Sequence, residues 1–383
     1  MTLTCVTVVT AMTMIAPLLV DLARDFGISV AVAGQLGTAT ALPWAITALV
    51  AGPTTDRFGR RAMLATALVG LGTVNCLSAL APSFGVLLAL RVLMGIVGGA
   101  APTAMLTVVG DHVPVEQRGS AMGWVFAGFG IAAVVGVPTA GALGGAFGWR
   151  WALALVGLVV LGVTALVWRF LPVDVPRAAS GNPVHAYTQV LRTPGLLRLL
   201  FANTGERVAY VGNTLYLPPF LMQTYGLSAA QVAPALAAAA LGAIAGNVVG
   251  GRIADRVNRP LAYATALVTS IVFALPLFLL PGHLGLSTAL AALFGLANGA
   301  SRPAFQSLAS EASTQHRGTA MGLVSCSSQV GWASGAALGG IAIAVGGYGG
   351  IGMLAAVASL YAAGTTLTLR RGAVRAQHGA LPR

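Results

Sequence analysis

Apolar residues fall into long unbroken runs separated by short polar breaks. Runs of about 20 residues suit helices that cross a bilayer. Twelve can be read off: 2–20, 29–50, 62–81, 85–109, 119–146, 150–170, 196–221, 229–249, 261–281, 284–308, 318–345 and 348–369. The longest break, 171–195, is rich in Pro and Gly and divides the runs six and six. The expected fold class is an all-α membrane protein. Its expected parts are a six-helix bundle over 1–170, a central loop over 171–195, a second bundle over 196–371 and a tail over 372–383.

Composition supports this reading. The chain is 57% hydrophobic and 8% charged, against about 25% charged in a soluble globular chain. So few charges could not cover a soluble protein of this length. The net charge of +12 would suggest nucleic acid in a soluble protein. Here the Arg residues stand singly or in small groups between apolar runs, so no basic face forms and no nucleic-acid partner is expected. Cys5, Cys76 and Cys326 all lie inside runs, too few and too dispersed for a disulfide framework or a zinc site. No positively charged segment precedes the first run, which is expected to remain as a span.

The Arg distribution sets the orientation. With both termini in the cytoplasm, sixteen of the 21 Arg fall on the cytoplasmic side and its helix ends. Arg24 and Arg150 fall outside, and Arg91, Arg207 and Arg302 lie within runs. Arg-rich loops stay inside, so a multi-pass protein of a cell's inner (cytoplasmic) membrane is expected.

The stretch GPTTDRFGRR (52–61) gathers four charged residues between two apolar runs. It returns as GRIADRVNR at 251–259, so that Gly52, Asp56, Arg57 and Arg60 align with Gly251, Asp255, Arg256 and Arg259 at an offset of 199. The same offset aligns RGSAMG at 118–123 with RGTAMG at 317–322. Two matches at one offset indicate six helices duplicated in the same orientation, related by an axis along the membrane normal.

With these motifs the chain resembles the major facilitator superfamily. Gly52, Asp56, Arg57, Gly59, Arg60 and Arg61 resemble the family's signature between helices 2 and 3, echoed at Asp255 and Arg256. The resemblance implies a conformational latch in which Asp56 sits beside Arg57 and Arg118 and faces the start of helix 11. Such contacts would form in one state and break in the other. The bare chemistry of the stretch also allows the charges to serve topology alone. The fifth run, GFGIAAVVGVPTAGALGG, resembles the motif of 12-span drug:proton antiporters in Gly136, Pro138 and Gly141, with Val137 inserted between Gly and Pro. That resemblance implies a bend sealing the cavity toward the outside. Arg91 and Gly95 resemble the family's helix 4 signature.

Charge inside a membrane is costly and marks function. In the seventh run Asn203, Glu206, Tyr210 and Asn213 are spaced 3, 4 and 3 and share one helical face. Glu206 is the acid placed inside a span and the candidate for proton coupling, unless it pairs with Arg207. Arg91 is a second candidate, and Asp21 at the end of the first run a third. In the tenth run Asn298, Arg302 and Phe305 share a face. Arg302 could neutralise Glu206, meet an anionic substrate or sit near the cytoplasmic end. The candidate substrate lining is apolar and aromatic with a few amides: Met14, Trp44, Met94, Phe126, Asn203, Tyr210, Asn213, Asn298, Arg302 and Phe305.

These features point to a proton-coupled exporter of small amphipathic molecules by alternating access. It would be a monomer in the lipid bilayer with no cofactor, drawing on the proton gradient. The alternative is proton-coupled uptake of a sugar or organic anion. A non-transporting membrane sensor or enzyme is a remote third. No HExxH and no GxxxxGK[ST] is present, and no catalytic or metal site is expected.

Overall fold

The computed structural model describes residues 1–112, 124–125, 127–171, 183–311 and 317–379. Among these, every regular element is helical. Ten helices are long and apolar enough to cross a membrane. The remaining two expected spans are Gln35–Phe58 and Leu196–Tyr225, of 24 and 30 residues. They extend about 36 and 45 Å at 1.5 Å per residue, longer than the roughly 30 Å hydrocarbon layer. The first ends in the Asp56–Arg57 stretch, and the second carries Arg198, Glu206 and Arg207.

Contacts divide the chain into two compact units: Met1–Gly181 with Thr214–Ala237, and Asn182–Asn213 with Ala238–Arg383. The first unit contains α1 (Thr2–Thr13), α2 (Ile15–Asp25), α3 (Val30–Ala33), α4 (Gln35–Phe58), α5 (Arg60–Ala79), α6 (Phe84–Gly98), α7 (Ala101–His112), α8 (Val137–Phe147) and α9 (Trp149–Phe170). Proline interrupts several of its spans. The first run breaks at Met14, three residues before Pro17, whose ring crowds the preceding turn and which has no N–H to donate. The fourth breaks at Gly99–Ala100, just before Pro102. In the fifth, Ala132–Gly136 widen into a π turn that ends one residue short of Pro138. A missing donor at Pro138 and a widened turn before it are two faces of one local defect.

The start of α5 needs glycine: Gly59 has φ of 85°, a conformation open to a residue without Cβ. The residue 199 positions later, Asn258, caps its helix instead through its side chain, with Oδ1 accepting the Leu261 N–H at 3.4 Å. A core of Trp44, Leu68, Leu71, Met94, Met105 and Val160 holds this unit together.

The second unit contains α10 (Pro183–Leu191), the first part of α11 (Leu196–Tyr225), most of α12 (Ala233–Arg256), α13 (Arg259–Leu279), α14 (Leu284–Glu311), α15 (Arg317–Gly346) and α16 (Gly349–Gly379). Its core includes Tyr263, Leu267, Phe305, Val324 and Ala362. α12 and α14 interlock backbone to backbone. A methyl group on Gly242, Gly246 or Gly250 would fall 2.1, 2.1 or 2.2 Å from the carbonyl oxygens of Ala292, Leu296 and Ala300. From the other side, Gly295 and Gly299 face the carbonyls of Ala239 and Ala243 almost as closely. Small residues four apart permit this approach in lipid, and the seam fixes α14, which carries Asn298 and Arg302.

Candidate functional site

α11 begins at Leu196, so Glu206 lies about 15 Å along it. The Glu206 side chain is fully buried and meets two guanidinium groups. Arg207, its neighbour in sequence, holds the carboxylate with two nitrogens: Nε donates to Oε2 at 2.6 Å and Nη2 to Oε1. Arg302 of α14 donates from Nη1 to Oε2 at 3.1 Å and to Asn203 Oδ1 at 3.0 Å. Both pairings that the sequence left open for Glu206 are therefore made at once. One carboxylate against two guanidiniums leaves the cluster a formal charge of +1.

Asn203 is the bracket of this cluster. Its Nδ2 shares two N–H groups among Ser327 Oγ at 2.7 Å, Ser328 Oγ at 2.8 Å and Val324 O at 3.1 Å on α15. One amide thus ties α11 to α15 through its nitrogen and to α14 through its oxygen. Gly331 makes the approach possible, since a methyl there would fall 2.4 Å from Arg207 Cβ and 2.7 Å from Thr204 O. Arg207 lies over the Tyr210 ring at 4.6 Å and Arg302 over Phe305 at 5.4 Å. Phe305 in turn packs against Tyr263, whose hydroxyl donates to Ala202 O at 3.1 Å. Asn213 and Asn298 are buried, and the Nδ2 of each has no hydrogen-bond partner.

Arg91, in the first unit, is 1% exposed. Its Nη1 reaches Met94 Sδ at 3.1 Å, while Nε and Nη2 have no partner. Asn75 is equally buried, with both amide atoms unpartnered. Leu71 of α5 meets Gly98 of α6, and in that antiparallel register Asn75 lies at the depth of Met94. Trp44 packs against Gly98, and Gly95 approaches Thr40 O.

The other candidates are distributed as follows. Met14, Trp44, Met94 and Phe305 are fully buried packing residues. Asp21 is a partly exposed partner of Arg24 at 3.7 Å. Gly136 and Gly141 meet Thr10 and Pro17, which brings the fifth span against the first. Arg60 is buried. Arg61 donates to Trp168 O and lies 4.5 Å over that ring, joining the ends of α5 and α9. Arg256 is exposed at the end of α12. Arg118 and Phe126 lie outside the described residues, as do the surroundings of Gly52 and the side chains of Asp56, Arg57 and Asp255. Ser327, Ser328 and Asn75 were not anticipated. The polar cluster SCSSQ at 325–329 within the run 318–345, and a lone amide in 62–81, were the available signals.

Long apolar helices, duplicated at one offset and burying ion pairs far from their ends, define a multi-pass membrane transporter. The family model of the Major Facilitator Superfamily matches residues 1–205 and, a second time, 199–381. The chain belongs to that superfamily. It is 29% identical over 245 residues to a "Chloramphenicol resistance protein" of Streptomyces lividans, covering 63% of this chain and 62% of that protein. The match thus spans less than two-thirds of that relative's length. It is also 29% identical over 342 residues to the inner membrane transport protein YdhP of Escherichia coli (strain K12), covering 89% and 87%. Among solved structures, a bacterial homologue of the human lysosomal transporter Spinster, inward-facing and occupied, matches with a TM-score of 0.75 at 18% identity over 96% of each chain. The human organic anion transporter MFSD10 matches with 0.71 at 19% identity over 95% and 97%.

Proposed function

We propose that the protein is a secondary exporter of small amphipathic molecules, driven by the proton-motive force across a cytoplasmic membrane in which both termini face the cytoplasm. The buried Glu206 cluster carries this reading. A carboxylate held mid-helix by Arg207 of its own helix and Arg302 of another costs too much to be retained as packing alone. It can exchange partners as those helices move, which is the requirement for coupling transport to a proton. A proton on Glu206 would leave two guanidiniums facing each other, so proton entry and release of Arg302 belong to one event. Resemblance to a chloramphenicol resistance protein over part of its length supports export, as does the Gly136, Pro138 and Gly141 motif of the fifth span.

A growth screen against a compound panel tests the reading. Cells producing the protein should gain resistance to at least one amphipathic compound. Cells producing Glu206→Gln at equal membrane level should not. Adding the active compound to vesicles should then move protons opposite to it. Proton movement in the same direction would instead identify an uptake symporter.

A further inference from the structure

We infer that the transported molecule is an amphipathic anion of the carboxylate class, whose acid group takes the place of Glu206 on Arg302. This rests on reading the Glu206 cluster as the transport site.

Three observations carry it. The first is charge. The cluster holds one carboxylate and two guanidiniums, and a buried surplus cation is stabilised by an incoming anion and further destabilised by an incoming cation.

The second is accessibility. The Glu206 side chain is 0% exposed, while those of Arg207 and Arg302 are 12% and 21% exposed. The part of the cluster open to an arriving molecule is guanidinium, with the carboxylate sealed beneath it.

The third is the balance of hydrogen-bonding groups. Arg302 uses one nitrogen, Nη1, shared between Asn203 and Glu206. Its Nε and Nη2 donate to nothing among the described residues. Arg207 is committed through Nε and Nη2, which leaves Nη1. One turn before Arg302, the buried Asn298 Nδ2 is also unpartnered. These unused groups are donors. A ligand that completes them must bring acceptors, and a carboxylate presents two oxygens in the spacing of a guanidinium fork.

The unequal grip on Glu206 fits an exchange. Arg207 holds it by two nitrogens and Arg302 by one. An incoming carboxylate can take Arg302 while Glu206 stays on Arg207, and the loaded cluster is then neutral. The partly exposed Tyr210 beside Arg207 suits the apolar body of such a molecule. An inside-negative potential drives a monoanion outward, so export of this class draws directly on the electrical part of the proton-motive force.

The test uses purified full-length protein and matched triplets of carboxylic acid, carboxamide and aminomethyl compound on benzene, naphthalene and biphenyl. Binding is followed by calorimetry at neutral pH. At least one acid should bind ten-fold or more tighter than its amide and amine, because hydrogen bonds to charged groups are worth about 1.5–3 kcal/mol. Arg302→Gln should lose that preference, and Glu206→Gln, which removes the competing carboxylate, should keep it or strengthen it. Binding of no acid, or equal binding of acid and amide, overturns the inference. So does an unchanged preference in Arg302→Gln. The wild-type comparison stands alone if that variant does not fold. Carboxylate binding without accumulation in everted vesicles would sink the exporter reading and leave this one intact. Accumulation of amines or neutral compounds alone would do the reverse.

Discussion

Gly331 should be one of the least replaceable residues in the second unit. A methyl group added there falls 2.4 Å from Arg207 Cβ, and ordinary contact begins near 3.4 Å. The deficit, 3.4 less 2.4, is about 1.0 Å. Neither obstacle can swing aside: one is a Cβ fixed to its backbone, the other the Thr204 carbonyl at 2.7 Å. α15 must therefore move away from α11. A shift of about 1.0 Å takes the Asn203 bonds to Ser327 and Ser328, at 2.7 and 2.8 Å, beyond the roughly 3.2 Å reach of a normal hydrogen bond. Overpacking costs about 1–3 kcal/mol, and each lost bond about 1 more. Gly331→Ala should therefore lower the thermal unfolding midpoint in detergent by several degrees and cut transport, because Asn203 loses the α15 bonds that orient its oxygen toward Arg302. Gly162→Ala is the control. Nothing lies within 4 Å of a methyl at that position in α9, and Ala is the better helix former by about 1 kcal/mol, so stability should hold or rise. A Gly331→Ala protein with wild-type stability and transport would refute the claim that this close approach positions the site.

Three further outcomes are expected. Asp56→Asn should impair transport while inserting normally, since the orienting Arg residues remain; full activity at equal membrane level would reduce GPTTDRFGRR to a topology signal. Arg91→Met, which replaces an incompletely partnered buried guanidinium by an apolar side chain, should raise the unfolding midpoint and lower transport; a destabilised protein would show that Arg91 holds the bundle together. A cysteine at Ser180 should resist impermeant thiol reagents applied to intact cells, and labelling there would reverse the assigned orientation.

Much of the architecture was legible in the sequence because lipid imposes so few solutions. Run length marked the spans, and the 199-residue offset exposed the duplication. The spacing 3, 4, 3 put Asn203 and Glu206 on one face, and in the structure both meet Arg302. Partners across helices were harder to read. Arg207 is adjacent to Glu206 in sequence and so points about 100° away around the helix, yet its long side chain returns to the carboxylate. Ser327 and Ser328 enter the cluster because Gly331 lets α15 approach, and neither a hydrophobic period nor a motif states how close two helices come. The π turn before Pro138 is likewise a local response to a missing donor, where the sequence indicated only a loosened helix.

The most direct test of the account is accumulation of a labelled substrate by everted membrane vesicles, measured for wild type and Glu206→Gln beside a binding assay on each purified protein. Wild type should concentrate the substrate when the vesicles are energised and release it when a protonophore is added. Glu206→Gln should bind the substrate and fail to concentrate it. Accumulation by Glu206→Gln at the wild-type level would place the coupling elsewhere and contradict the central role given to the Glu206 cluster.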